Sequence, residues 1–290
     1  VAFVVVGLPG VLVALWVFMT IQEPPRGYAD PPDSAPQDAH GWLSAFHELK
    51  HKPTFWWMTA GASMVAFVGY GLISFQAPFL QREHGLGVRD AAIQFGAPLS
   101  LMAALGTFMG GYITEKLTPY SETAVAWVPA VGLLIAVPTY IMAFFVTDLN
   151  TLLLLWGIAA VCHYAYLGAQ YNIGQGVVSN RSRATAIAVL LISVSLVGNG
   201  LGPYFVGFMS DFFMQSELAS SGFGGQLTPA NCMAKSSDLI AAQRATCDLA
   251  NSTGLKYAMS LTVCFFILGA ACFFMSARTL KRDFVAQLGA

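Results

Sequence analysis

Charge is what this sequence lacks. Only 10% of its 290 residues are Asp, Glu, Lys or Arg, against roughly 25% in an ordinary soluble domain, while 56% are hydrophobic and the mean hydropathy is +0.62. So little solvating surface excludes a soluble globular domain and marks a membrane protein. The net charge of −1 leaves no basic face for nucleic acid. Cysteine is sparse as well. The five present form no Cys-x-x-Cys pair and no Cys/His ligand spacing, so neither a metal site nor a dithiol redox centre is expected. No Walker sequence or GxSxG occurs, and no span holds two carboxylates that could act as acid and base. The run Gly198–Pro203 has the wrong spacing for a nucleotide fingerprint, and no strand precedes it. No enzyme activity and no cofactor are expected. There is also no initiator Met and no basic stretch ahead of the apolar run 1–21, which therefore reads as a helix of a longer protein rather than a signal peptide.

What is present is a series of long apolar runs. Seven candidate spans lie near 1–21, 55–79, 93–114, 123–146, 151–175, 184–212 and 255–277. Arg26, Lys50, Lys52, Lys116, Arg181, Arg183, Arg278, Lys281 and Arg282 all fall on one set of connections, which the positive-inside rule places in the cytoplasm. The opposite short loops hold Arg82 and Arg89.

The connection 22–53 is longer than a helical hairpin needs. Its first part is rich in Pro and Asp. Its second puts Trp42, Phe46 and Leu49 on one face, with Glu48, Lys50 and Lys52 elsewhere, as in a short helix lying on the membrane surface. The stretch Ser216–Gly254 reads as a polar external loop in which Cys232 and Cys247 are candidates for a disulfide. Cys162, Cys264 and Cys272 read as packing residues.

Spans two to four and five to seven resemble two three-helix units. The middle helix of each is glycine-rich and ends at an acid: Gly106–Glu115 in one, Gly200–Asp211 in the other. The alternation of sides puts those acids at opposite faces of the membrane, as an inverted repeat requires. Gly106, Gly110, Gly198 and Gly202 are candidates for close helix crossings, and Pro203 for a bend.

Polar groups inside spans normally face a partner or a wet cavity, because hydrocarbon offers nothing to bond. Trp156, His163, Tyr166 and Gln170 recur at helical spacing in span five. Phe67, Tyr70 and Ser74 make a face of span two, and Ser195 and Asn199 one of span six. With Met102 of span three, these are the candidate cavity residues. Ser and Thr also bond back to their own helix, and Asn199 fits an interhelical bond equally well. His163, with an ordinary pKa near ~6.5, is the candidate for proton coupling. Glu115, Lys116, Arg181, Arg183 and Asp211 sit at span ends as candidate gate residues, though topology alone would account for the arginines.

Gly110–Lys116 resembles the second-half copy of the loop motif of the major facilitator superfamily, with Glu115-Lys116 as its acid-basic pair and the further basic residue absent. Asn199–Gly207 is similar to the Gly-Pro bend of its antiporter-type helices. Glu23–Gly27 and Gly202–Asp211 resemble the mid-chain junction and a helix close of the Spinster branch. The resemblance implies an all-α fold: residues 1–21 as the last helix of an N-terminal half, 22–53 as a cytoplasmic linker, 54–279 as the C-terminal six-helix bundle and 280–290 as a tail. It implies a monomeric secondary transporter in the plasma (inner) membrane of a bacterium. Its substrate would be a lysophospholipid or sphingosine-1-phosphate-like lipid, proton coupling would go with it, and its partner would be the N-terminal half.

A carrier of organic anions or sugar phosphates is the alternative, and it would need basic residues in mid-span. A seven-helix receptor is a remote one. It fails on the long first connection, on the missing Asp-Arg-Tyr and Asn-Pro-x-x-Tyr sequences, and on the lack of a Cys at the outer end of span three.

Overall fold

The apolar runs become helices because a backbone in hydrocarbon has no other partner for its N–H and C=O groups. The computed structural model describes residues 2–21, 42–180, 182–223, 227–233 and 240–284. Its helices are α1 (Ala2–Thr20), α2 (Trp42–Lys50), α3 (Pro53–His84), α4 (Val88–Leu117), α5 (Ala124–Phe145), α6 (Leu149–Gly176), α7 (Arg183–Ser220), α8 (Pro229–Met233) and α9 (Ala241–Asp283). Six of these, α3 to α7 and α9, are long and apolar enough to cross a membrane. Val1–His40 and Gly41–Ala290 are separate units. The first contains α1, a 19-residue apolar helix with Pro9 inside it. Everything below concerns the second.

Local chemistry sets several helix ends. Pro53 opens α3 in the first turn, where its missing N–H costs nothing. Gly85, at φ +66°, closes it, and the N–H groups of Gly85 and Leu86 donate to Gln81 and Leu80 carbonyls. Asp148 caps α6, accepting the Thr151 N–H at 2.8 Å and its hydroxyl at 2.7 Å.

The two three-helix units are α3–α4–α5 and α6–α7–α9, and they interlock. The middle helix of each unit packs on the first helix of the other: α4 on α6, and α7 on α3. Small residues make both crossings close. A Cβ on Gly106 would stand 2.4 Å from the Val161 carbonyl oxygen, and one on Gly202 would stand 2.4 Å from that of Phe67. Gly110 meets Ala165, and Gly198 meets Ala66 and Tyr70, in the same way. The register of the repeat follows, with Gly106 and Gly202 in equivalent places and Glu115 and Asp211 nine residues further on in each. Two exposed aromatic pairs obey that register. Phe108–Tyr112 and Tyr204–Phe208 each stack with centroids 6.3 Å apart. The third helices, α5 and α9, pack on each other behind the first ones.

Both middle helices also carry a π-helical turn, Ala92–Gly96 in α4 and Leu196–Leu201 in α7, each followed within two residues by a proline, Pro98 and Pro203. The bend candidate Pro203 thus stands just after a widened turn of the helix.

Two expectations need correction. Ser216–Gly254 is not one polar loop: α7 continues to Ser220, and α9 begins at Ala241. At ~1.5 Å per residue, the 43 residues of α9 reach about 65 Å, well beyond a hydrocarbon core of ~30 Å. The protruding turns are amphipathic, and their apolar sides (Met214, Leu218, Leu227, Cys247 and Ala250) form a second small core. A disulfide joins Cys232 to Cys247 across it, tying α8 to α9. The second correction concerns α2. Its helix is where periodicity puts it, but Ala45 and Leu49 are buried while Phe46 is exposed. It packs against the start of α7 instead of only lying on a lipid surface. The side chain of Trp42 lies outside the described residues.

Candidate functional site

A hollow of about 300 Å³ opens between α3, α4 and α6, with Tyr140 of α5 behind it. Its wall includes Leu72 and Gln76 of α3, Leu99 and Ser100 of α4, and Trp156, Ala160, His163 and Tyr164 of α6. Helical spacing in α6 puts Trp156, Ala160 and His163 on one stripe. The π-helical turn of α4 ends at Gly96, which also lines the hollow. Such turns widen a helix and recur at functional sites.

His163 sits at the bottom, 3% exposed. The Tyr140 hydroxyl and His163 Nδ1 are 3.4 Å apart. Tyr166 stacks on the imidazole at 6.0 Å, and Phe266 and Tyr164 approach to 4.6 Å. The ring also lies against the buried Gly69, where an added Cβ would be 3.1 Å from Cε1 and 3.3 Å from Nε2. Among the described residues the hollow holds no Lys, Arg, Asp or Glu. It suits an uncharged or largely apolar group, with Gln76, Ser100 and the imidazole as its polar points.

The other candidates separate. Phe67 is buried in a ring trio with Phe205 and Phe265, at 5.3 Å from each. Tyr166 is buried under the imidazole, and Gln170 is buried with its Oε1 unpartnered. Tyr70, Ser74, Ser195 and Asn199 are exposed on α3 and α7, Asn199 on the π-helical turn itself. Met102 lines a different hollow, on the far side of the α4–α6 crossing.

Of the gate candidates, Glu115 is exposed beside a groove shared with Asn172. Lys116 lies over the Tyr112 ring at 4.8 Å. Arg183 has a buried, unpartnered Nε, and Arg181 lies outside the described residues. Asp211 is not at a helix end, because α7 runs nine residues further. It acts on the charge of Arg82 on α3. Lys256 of α9 pairs with Glu83, the chain neighbour of Arg82, and sits 5.6 Å from the Phe145 ring centroid.

Sequence reasoning missed the anchors at the opposite end. Glu48 of α2 accepts the Ser179 N–H at 2.8 Å, the Ser179 hydroxyl at 2.9 Å and the Ser182 hydroxyl at 2.5 Å. The carboxylate thus sits where α7 begins, at the positive end of that helix. Burial pushes Glu48 up, but the bonds from Ser182 and Ser179 and the charge of Lys52 outweigh it, and its pKa lies below the ordinary value. Asp283 does the same for α3, accepting the Thr54 N–H at 3.0 Å and its hydroxyl at 2.8 Å, while Lys52 Nζ donates to the Asp283 carbonyl at 2.9 Å.

Also missed was the run His47-Glu48-Leu49-Lys50-His51, which has HExxH spacing, the one signal that would have singled out Glu48. The two imidazoles lie 5.0 Å apart on successive turns. Their Glu, however, is engaged by the serines. No third His, Cys, Asp or Glu joins them among the described residues.

Residues 1–203 match the Major Facilitator Superfamily. The chain belongs to that superfamily. An MFS-type efflux pump of Mycolicibacterium smegmatis is 24% identical over 99% of this chain and 58% of its own length. Protein spinster homolog 1 of Bos taurus is 29% identical over 70% of this chain and 41% of its own. A bacterial homolog of the human lysosomal transporter Spinster, solved inward-facing and unoccupied, is 47% identical, with a TM-score of 0.81 over 99% of this chain and 60% of that one. Its inward-facing occupied form gives 48% and 0.77. These likenesses place the chain in the Spinster branch, a group of membrane transporters and not of enzymes. The chain spans about half the length of the curated relatives it matches.

Proposed function

We propose that this chain is the working second half of an alternating-access transporter, preceded by one helix and the connector of a first half. Its substrate is a lysophospholipid or a sphingosine-1-phosphate-like lipid. The observation that carries this is the hollow at His163 and Trp156. It lies along the Trp156–Ala160–His163 stripe of α6, beside the π-helical turn of α4, walled by apolar and aromatic groups. An acyl chain fits such a wall. An organic anion or a sugar phosphate would need cations there, and this half supplies none among the lining residues. Charged headgroup contacts then belong to the other half. The Lys/Arg distribution supports a topology with α2, the Glu48 anchor and the C-terminus on the cytoplasmic side and the disulfide on the other, and we take the membrane to be the inner membrane of a bacterium.

The test is uptake by proteoliposomes holding the full-length protein, with a lysophospholipid and a sugar phosphate as competing substrates, with and without a pH gradient. Lysolipid uptake that a gradient accelerates supports the reading and its proton coupling. Uptake of the sugar phosphate alone overturns it.

A further inference from the structure

A second hollow, of about 370 Å³, lies across the α4–α6 crossing from the first. Its lining is almost wholly apolar and includes Met102 of α4 with Leu154, Gly157, Ile158 and Cys162 of α6. Leu154 and Ile158 are 62% and 44% exposed, so the hollow opens sideways, off the bundle. Gly157 makes room for it: a Cβ there would touch Met102 Cγ at 3.4 Å.

The hollow has a polar end. Asn150, exposed in the first turn of α6, lines its mouth, and the exposed carboxylate of Asp148 caps the helix two residues earlier. That carboxylate lies below its ordinary pKa range, held there by the hydroxyl and N–H of Thr151, so it is anionic at neutral pH. From Asn150 to Cys162 the groove descends 12 residues, ~18 Å of helix. One leaflet of hydrocarbon is ~15 Å deep. An apolar slot of one leaflet's depth, starting at the helix end with a carboxylate two residues before its first lining residue of α6, has the form of a lipid site.

We propose that this groove holds one acyl chain of a bilayer phospholipid whose headgroup carries an amine, with the amine against Asp148 and the chain running past Gly157 to Cys162. Anionic phospholipids are disfavoured by the same carboxylate. The site is distinct from the hollow at His163 and depends only on membrane embedding, so it stands or falls independently of what the protein transports.

Photoactivatable phosphatidylethanolamine and phosphatidylglycerol, each with the reactive group on its acyl chain, are added to the full-length protein in nanodiscs, and cross-linked peptides are mapped by mass spectrometry. The ethanolamine probe labels the peptides around 98–102 and 150–162 about two- to fivefold more than the glycerol probe, the range expected of one exposed charge. Asp148→Asn removes that preference while labelling persists. Gly157→Leu fills the slot and abolishes labelling there, with the thermal midpoint checking that the variant folds. Equal labelling by both probes, labelling that Gly157→Leu leaves unchanged, or no labelling because protein covers the groove overturns the proposal.

Discussion

Gly110 and Gly111 are neighbours in the chain and differ completely in what a side chain would meet. A Cβ on Gly110 would lie 2.5 Å from Ala165 Cα, while one on Gly111 would meet nothing within 4 Å. The obstacle at Gly110 is backbone and cannot rotate away. Gly110→Ala should therefore lower stability by about 1–3 kcal/mol, while Gly111→Ala should be neutral or add about 0.5–1 kcal/mol of helix propensity. Thermal unfolding of the two purified variants checks this. The same logic applies inside the hollow. Gly69→Ala presses on the edge of the His163 imidazole and should reduce transport with little loss of stability, whereas His163→Gln should flatten the pH dependence of uptake. Uptake and pH dependence both unchanged in His163→Gln would remove the imidazole from the mechanism.

At the scale of elements, α2 is held to the bundle by the buried Ala45 and Leu49, by the Trp56 indole N–H donating to the Leu49 carbonyl, and by one carboxylate. Glu48→Ala leaves the N–H of Ser179 without its acceptor and should weaken docking by roughly 1–2 kcal/mol, since hydrogen bonds to a charged group are worth more than neutral ones but this one is partly solvated. Trypsin cleavage after Lys50 would then rise about tenfold, because proteolysis follows the population of the open form. The pH dependence has a definite sign. A folded pKa below the unfolded value means that the anchor contributes fully above the unfolded value, ~4.3. Its contribution is lost as pH falls through the lowered folded value. Cleavage of the parent protein, normalised at each pH to that of a freely accessible peptide by the same trypsin, should therefore stay flat from pH 8 to 5.

Glu48 also marks the limit of reading helices one at a time. The amphipathic pattern of α2 was legible, because burial of Leu49 follows from a local period. That Glu48 should turn to Ser179, 131 residues away, was not, because no local property of either segment encodes the other's position. The long polar-looking stretch after Ser216 was misread for a related reason. Helices that leave the membrane lose their apolar run, and only the cluster of Met214, Leu218, Cys247 and Ala250 shows that they continue.

For the whole molecule, the protruding ends of α7 and α9 form a small body outside the hydrocarbon, fastened by Cys232–Cys247. The bond closes a 15-residue separation, for which the loop-entropy estimate is about 3 kcal/mol. Cys247→Ser should lower the thermal midpoint, and reductant should do the same to the parent protein but not to the variant. Differential scanning fluorimetry with and without dithiothreitol measures both.

By itself the sequence determined six of the membrane spans, the sites of the glycine crossings and the neighbourhood of Pro203 as a place where the regular helix breaks. Each of these depends on composition or spacing within a single helix, which hydrocarbon and backbone hydrogen bonding translate directly into structure. Only the tertiary structure decided which faces meet. It put His163 and Trp156 on a hollow, sent Met102 to the far side of the α4–α6 crossing, buried Phe67 in a ring trio and gave Glu48 to the serines at the head of α7. An apolar residue of a membrane helix is equally at home against lipid or against a neighbour, so hydrophobicity cannot choose between them. The close glycine contacts make that choice by fixing the rotation of each helix.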